Sequence, residues 1–157
     1  HSIDGVLIMG GLHHVKPALH SVLCEVRRVL KPGGMMVASE PANDNPVIRF
    51  IRRLQYRQSK FQGADEGEDG FIRSELNKTL EDAGFELRSY HRFGFLAYFF
   101  FANMHVVPLF RSSKNERFAK QLIALDEVLE KTPIVRNFAW ANIFVAAPKE
   151  CAKRGAG

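Results

Sequence analysis

The chain has 157 residues, of which 46% are hydrophobic and 25% are charged, values typical of one globular domain and too few residues for two. The formal net charge of +5 is a mild basic bias. It favours an anionic substrate or membrane surface, but it is too small to indicate nucleic-acid binding.

The two cysteines do not form a disulfide framework. Cys24 falls in a predicted helix and Cys151 in a polar tail, which predicts a reducing, cytoplasmic location. The first residue is His1 rather than Met, and a predicted strand follows almost at once. We therefore expect a piece of a longer protein.

The first forty residues predict a strand, a helix and a second strand. Ile3–Met9 is an apolar run, typical of a strand buried on both faces of a parallel sheet. One face of the following helix is apolar, with Leu19, Val22, Leu23, Val26 and Leu30 at helical spacing. Lys31–Gly34 predicts a turn with positive φ at Gly33, and Met35–Ser39 predicts the next buried strand. This order is a βαβ unit.

The middle of the chain predicts two helices separated by an acidic loop. The first covers 46–60, and the second begins at an N-cap, Ser74, and ends at Gly84 in the C′ position. Residues 63–70 carry four carboxylates but lack the spacing of a calcium loop, so we predict no metal site. Phe85–Tyr90 then alternates as in a strand.

The last third contains a strongly apolar stretch at 93–110, an amphipathic helix and a final strand over Ala139–Ala147. Burial against the core is the favoured interpretation of the apolar stretch. A lid over an apolar acceptor and a peripheral membrane contact stay open as alternatives. We predict one domain over 1–148 and a flexible tail over 149–157.

Three segments resemble a known enzyme family. They are Leu12-His13-His14-Val15, the run from Arg28 to Gly34, and Ala83-Gly84-Phe85. In this order and spacing they resemble the later half of a class I S-adenosylmethionine (SAM)-dependent methyltransferase domain. The resemblance implies an α/β fold holding the fourth to seventh strands of a Rossmann-like sheet, with the last pair antiparallel.

The same resemblance implies a site at the carboxyl ends of the strands. Met9, Gly10, Gly11 and Leu12 would pass beside the methionine part of SAM, and His13 and His14 are the candidates for a catalytic base. The glycine-rich turn with which the family holds the cofactor is missing from this chain. We therefore predict that the chain alone binds SAM weakly or not at all.

Three residues are predicted to contact the acceptor, which we expect to be a small or lipid-like molecule. Glu40 ends the second strand, and Arg49 and Arg53 lie on the helix after it. The plainer alternatives are that Glu40 caps the sheet and that the arginines form the solvated side of a surface helix.

A non-catalytic Rossmann-like module that binds a partner protein is the second interpretation. A nicotinamide-dependent oxidoreductase is disfavoured because the chain has no G-x-G-x-x-G segment. Without its first three strands the sheet would expose the edge of Ile3–Met9, which favours self-association.

Overall fold

The structure is a computed structural model that describes residues 1–58, 70–98, 100 and 116–149, with the backbone alone at 55–58. The acidic loop, Cys151, the tail from 150 and most of the apolar stretch beyond 98 lie outside these residues. The elements in chain order are β1 (Ile3–Met9), α1 (Leu19–Val29), β2 (Leu30–Pro41), α2 (Pro46–Gln58), α3 (Arg73–Asp82), β3 (Phe85–Phe93), α4 (Glu116–Lys131) and β4 (Ala141–Pro148). Short 3-10 helices cover Leu12–Ala18 and Val135–Phe138.

The four strands form one mixed sheet in the order β1-β2-β4-β3. β1 and β2 are parallel, whereas β4 runs antiparallel to both of its neighbours, β2 and β3. The last strand of the chain thus lies between the two strands that precede it. The predicted α/β class, with an antiparallel final pair, is confirmed.

The core lies between one face of the sheet and helices α1 and α3. It is formed by side chains that are almost fully buried, among them Leu23, Met36, Leu76, Leu80, Phe85 and Phe144. The helical spacing read from the sequence explains why α1 presents Leu19 and Leu23 to this core. α1 ends at Val29, and β2 begins at once at Leu30 rather than at the predicted Met35. The predicted turn lies within β2, where the pairing with β1 is irregular and Gly33 has the expected positive φ, +79°.

The prediction that β1 is buried on both faces is wrong. Val6 and Ile8 pack against the core, but Leu7 and Met9 on the opposite face are 69% and 67% exposed. β1 is an edge strand, and within the described ranges nothing covers this face of it. An apolar run identifies a strand well, but it does not reveal how many faces the rest of the protein covers.

The start of α3 also differs from the prediction. The helix begins at Arg73 after Ile72 in the N-cap position, so Ser74 lies inside the first turn. The backbone N–H of Arg73 donates instead to Oδ1 of Asp44, at 2.8 Å. Asp44, a residue distant in sequence, therefore accepts a hydrogen bond from the first turn of α3, the role that was predicted for Ser74.

None of the described helices is long and apolar enough to cross a membrane.

Candidate functional site

The site lies where β1 and β2 end side by side. Because the two strands are parallel, their carboxyl ends meet at the same edge, with Met9 paired to Ser39. The N–H of Gly10 donates to the carbonyl oxygen of Ser39 at 2.8 Å. Gly10 then turns the chain with φ of +62°, a conformation that glycine adopts readily.

Glu40 is the organising residue of this edge. Its side chain is fully buried, and its carboxylate accepts three successive backbone N–H groups from the turn after β1. Oε1 lies 3.0 Å from the nitrogen of Gly11 and 2.8 Å from that of Leu12, while Oε2 lies 3.3 Å from that of His13. The turn therefore wraps its amides around a buried anion, much as a helix N-terminus does.

The same carboxylate also holds the ring of His13. Nδ1 lies 2.7 Å from Oε2, and the His13 side chain is 11% exposed. Since three amides already donate to Glu40, we assign the ionised form to the carboxylate and the hydrogen of the neutral imidazole to Nδ1. This tautomer leaves a lone pair on Nε2, which has no hydrogen-bond partner among the described residues. In this neutral tautomer, Nε2 is the ring nitrogen that can accept a proton.

His14 has a different environment. It is exposed, and its ring lies 4.0 Å from that of His13 between centroids, tilted by 38°. In the described structure, His14 makes no contact with the carboxylate of Glu40. Of the two predicted candidates for a base, the structure orients His13.

The four predicted cofactor contacts separate into two groups. Met9 is largely exposed, and Gly10 and Gly11 are partly exposed at the strand end. Leu12, by contrast, is 1% exposed and belongs to the core. The first three residues leave room for a ligand at the end of β1, because Met9 offers an apolar side chain and the two glycines carry none. Leu12 fits the core and not a ligand.

The three predicted acceptor contacts differ in their surroundings. The carboxylate of Glu40 is saturated by the donors above, so its burial argues against direct contact with a substrate. Arg49 donates from Nη2 to the carbonyl oxygen of Asn43 at 3.0 Å. Arg53 is exposed. Acceptor contact by any of the three stays a prediction.

Arg52, which the sequence did not single out, is the most buried of the described α2 arginines at 5% exposure. Its guanidinium donates to the carbonyl oxygens of Ala42 and Trp140 at 3.0 and 2.7 Å. These bonds fasten α2 to the ends of β2 and β4. Helical spacing predicts that this arginine is solvated, as its neighbours are. Only the tertiary structure shows that its guanidinium is buried and bound to the backbone.

A second polar cluster surrounds Asp44, just after β2. Asp44 accepts a hydrogen bond from the hydroxyl of Tyr90 at 3.1 Å and pairs with Nη2 of Arg92 at 3.1 Å. Burial, followed by the charge of Asp44, raises the pKa of Tyr90 far above its usual value. The phenol is thus a neutral donor, and this cluster is structural rather than a source of a base. In the described part of the chain, no three side chains form a metal site.

Comparison with known proteins finds similarity to methyltransferases. Residues 1–38, which contain β1, α1 and the turn after Arg28, match the family described as Methyltransferase domain. Among solved structures, a candidate methyltransferase from Bacillus halodurans superposes with a TM-score of 0.55 at 20% identity, covering 96% of this chain and 65% of the other. A SAM-dependent methyltransferase from Archaeoglobus fulgidus gives 0.51 at 15%, covering 92% and 59%.

The first 38 residues therefore match part of a methyltransferase domain, and the chain has a partial methyltransferase Rossmann-like fold. A highly reducing polyketide synthase of Aspergillus terreus is similar to the chain, with 36% identity over 87 residues, which are 51% of this chain and 3% of that protein. The chain thus spans between half and two thirds of these two structures, and a far smaller share of the synthase.

The fold of this chain does not by itself determine its chemistry. The [4+2]-cyclase SpnF has the same fold, with a TM-score of 0.56 at 18% identity over 96% of this chain and 52% of the cyclase. Function must therefore be argued from the residues of the site.

Proposed function

We propose that the chain forms the acceptor side of a methyltransferase that moves the methyl group of SAM to a small-molecule or lipid-like acceptor, with His13 as general base. The observation that carries this proposal is the 2.7 Å contact between His13 Nδ1 and a Glu40 carboxylate that is also bound by three backbone amides. A histidine fixed in this manner at the end of a parallel strand is placed to act on a ligand.

In this proposal His13 removes a proton from the acceptor. SAM, when bound, supplies an electrophilic methyl group on a sulfonium. Nε2 of His13 would take the proton from the acceptor while the acceptor–methyl bond forms and the methyl–sulfur bond breaks, which leaves the cofactor as a neutral thioether. Glu40 would stabilise the resulting imidazolium without becoming protonated itself. The same division of roles operates between histidine and aspartate in serine hydrolases. Orientation of the acceptor against the methyl group provides the rest of the rate.

A base of this kind favours an acceptor that must lose its proton before or during methylation. A hydroxyl group and a carbon between two carbonyl groups both meet this requirement, whereas a neutral amine already presents its lone pair. The similarity to a polyketide synthase favours the carbon acceptor, because polyketide chains carry carbon atoms of that type. We therefore propose an acyl chain with neighbouring carbonyls as the leading acceptor.

Cofactor binding by this chain is expected to be incomplete. Met9, Gly10 and Gly11 would flank the methionine part of SAM, while the glycine-rich turn and the acidic residue that complete such a site are not in this sequence. The exposed Leu7 on β1 fits an apolar neighbour from the remainder of the domain. We propose that activity needs both the missing cofactor-binding segments and the apolar neighbour of Leu7.

The direct test is methyl transfer from methyl-labelled SAM by protein made from the full reading frame around this chain. The acceptors would be a β-ketoacyl thioester, a phenol and a primary amine. We expect label in the thioester, lost in His13→Ala and retained in His14→Ala. Equal labelling by His13→Ala and the parent would remove His13 from the mechanism.

A partner-binding module without catalysis is the second candidate, and the exposed apolar face of β1 favours it. Leu7 and Met9 together present a surface of the kind that partner proteins cover. Under this alternative the full-frame protein neither binds SAM nor transfers methyl groups. Substituting Leu7 by Asp would then release a bound partner protein.

A further inference from the structure

A cavity of about 540 Å³ lies at the end of β3, between that strand, the first residue of α3 and the last turn of α4. Its volume is that of a site for a small molecule. Four cationic side chains line it: Arg73, Arg92, Lys131 and Arg136. None of them belongs to the site built around Glu40, so the cavity is a separate candidate for ligand binding.

β3 ends at the same edge of the sheet as β1 and β2. β4 is antiparallel to both β2 and β3, so β2 and β3 run in one direction, and β1 is parallel to β2. In the order β1-β2-β4-β3, the end of β3 lies three strand spacings, or about 14 Å, from the end of β1. Since open α/β sheets bind their ligands at the carboxyl ends of parallel strands, the cavity lies on the edge where a ligand is expected.

The ring of Tyr90 brings two of the four cations together. The guanidinium carbon of Arg73 lies 4.9 Å from the centre of this ring, and that of Arg92 lies 5.9 Å from it. Asp44 fixes both arginines, because it accepts the backbone N–H of Arg73 and pairs with Nη2 of Arg92. The Arg73 guanidinium makes no hydrogen bond to another described residue, so its N–H groups are available to a ligand.

Positive charge exceeds negative charge around the cavity. Three of the four cations are exposed and form no ion pair with a described carboxylate: Arg73, Lys131 and Arg136. Glu127 and Glu130 on α4 line the same cavity. Even when Arg92 is counted as neutralised by Asp44, three cations face these two carboxylates. The cavity therefore favours one anionic group, and the glutamates disfavour a ligand that is anionic throughout.

We propose that this cavity binds the phosphate group of a phosphate ester, held by Arg73, Lys131 and Arg136. A guanidinium donates two parallel hydrogen bonds to phosphate oxygens. A phosphate ester offers more terminal oxygens and more charge than a carboxylate, so it engages more of these donors. The inference does not depend on the proposed role of His13.

The phosphate has two possible sources. It belongs either to the methyl acceptor, whose reacting atom then lies at His13 about 14 Å away, or to a separate small molecule. Both sources present the same chemical group to the cavity.

The test is titration calorimetry with inorganic phosphate and with acetate, in the absence of SAM, on protein made from the full reading frame. Arg73→Gln on α3 and Lys131→Gln on α4 each remove one cation from the cavity. Arg88→Gln is the matched control, because Arg88 pairs with Glu86 and lies outside the cavity lining. Urea midpoints establish that each variant is folded.

We expect the parent and Arg88→Gln to bind phosphate with affinities within about twofold of each other. Arg73→Gln and Lys131→Gln should each bind phosphate about 5–10-fold more weakly. Unchanged phosphate affinity in a folded Arg73→Gln or Lys131→Gln protein would overturn the proposal. Failure of the parent to bind phosphate at millimolar concentration, or acetate binding as tight as phosphate binding, would overturn it as well.

Methyl transfer to two thioesters of the same acyl group, one with a phosphate in its thiol carrier and one without, distinguishes the sources. If the phosphate belongs to the acceptor, Arg73→Gln raises KM about 5–10-fold for the phosphate-bearing thioester alone. If it belongs to a separate molecule, Arg73→Gln leaves KM unchanged for both thioesters, and the phosphate site stands. Because the calorimetry needs neither SAM nor turnover, an inactive parent would defeat the proposed function and not this inference.

Discussion

Asp126 holds the turn after β3 in the same way that Glu40 holds the turn after β1. Asp126 lies on α4 and is 5% exposed, and its carboxylate accepts the N–H groups of residues 95, 96 and 97 at 2.9, 2.9 and 3.0 Å. Both turns follow a glycine of positive φ, Gly10 in one and Gly94 in the other. Two parallel strands thus end in turns whose amides surround a buried carboxylate.

Asp126→Asn should destabilise the chain. The neutral side chain weakens three charge-assisted hydrogen bonds and directs an NH2 group toward amides that are themselves donors. We expect a loss of about 2 kcal/mol in the free energy of unfolding, measured by urea denaturation. The adjacent and exposed Glu127→Gln is the control, expected within about 0.5 kcal/mol of the parent. Equal midpoints for both variants would mean that Asp126 does not anchor the turn.

Glu40→Gln should affect both stability and turnover. The amide replaces a buried carboxylate that accepts from four donors, so we expect a loss of about 2–3 kcal/mol in the free energy of unfolding. Turnover should fall about 10–100-fold because His13 loses its orienting partner. Glu86→Gln is the control, since its ion pair with Arg88 is half exposed. A stable and fully active Glu40→Gln protein would contradict the account of the site.

His13→Ala and His14→Ala should separate the two histidines. Loss of a positioned general base lowers the rate about 10²–10⁴-fold, so His13→Ala should reduce kcat by that factor and leave SAM affinity unchanged. His14 is exposed and makes no contact with Glu40 in the described structure, so His14→Ala should stay within about threefold of the parent. Steady-state methyl transfer and SAM calorimetry on the same preparations give both quantities. The reverse order of effects would assign the base to His14.

Much of the fold was predictable because it depends on local patterns. The bounds of β1, the apolar face of α1, the positive φ of Gly33 and the glycine at the end of α3 all follow from spacing and turn chemistry. The strand-end position of His13 was also predictable from the sequence. Its contact with Glu40 was not, because Glu40 lies 27 residues away.

The features that the sequence did not reveal depend on contacts between distant segments. The N-terminal N–H of α3 is bound by Asp44. Arg52 is buried although its neighbours in the sequence predict a solvated helix face. The exposure of one face of β1 depends on which other segments cover it. On α4 the buried positions include Asp126, whereas Leu125 is 44% exposed. Helical spacing alone assigns the leucine, and not the aspartate, to the core.

Tyr90→Phe should change the dependence of stability on alkaline pH. Burial and Asp44 raise the pKa of the folded Tyr90, whereas an unfolded tyrosine ionises near its ordinary value of about 10. The stabilisation from the neutral phenol is therefore complete below pH about 10 and is lost as the pH rises above it. Below that pH, Tyr90→Phe should be less stable by about 1–2 kcal/mol through loss of the bond to Asp44.

Urea denaturation of both proteins at pH about 8 and at pH about 11 measures this effect. The stability of the parent should fall more steeply than that of Tyr90→Phe, so that the two converge. Parallel curves would show that Tyr90 ionises alike in the folded and unfolded chains.

Titration calorimetry with SAM tests the central claim most directly, on this chain and on protein extended through the full reading frame. We predict that the extended protein binds SAM and that this chain binds it weakly or not at all. We also predict that substituting Gly11 by a bulky residue abolishes binding in the extended form, because the new side chain would fill the space at the end of β1 that the cofactor is proposed to pass. Low-micromolar binding by this chain alone would contradict the claim that its site is completed elsewhere. Absence of binding by the extended protein would contradict the methyltransferase function itself.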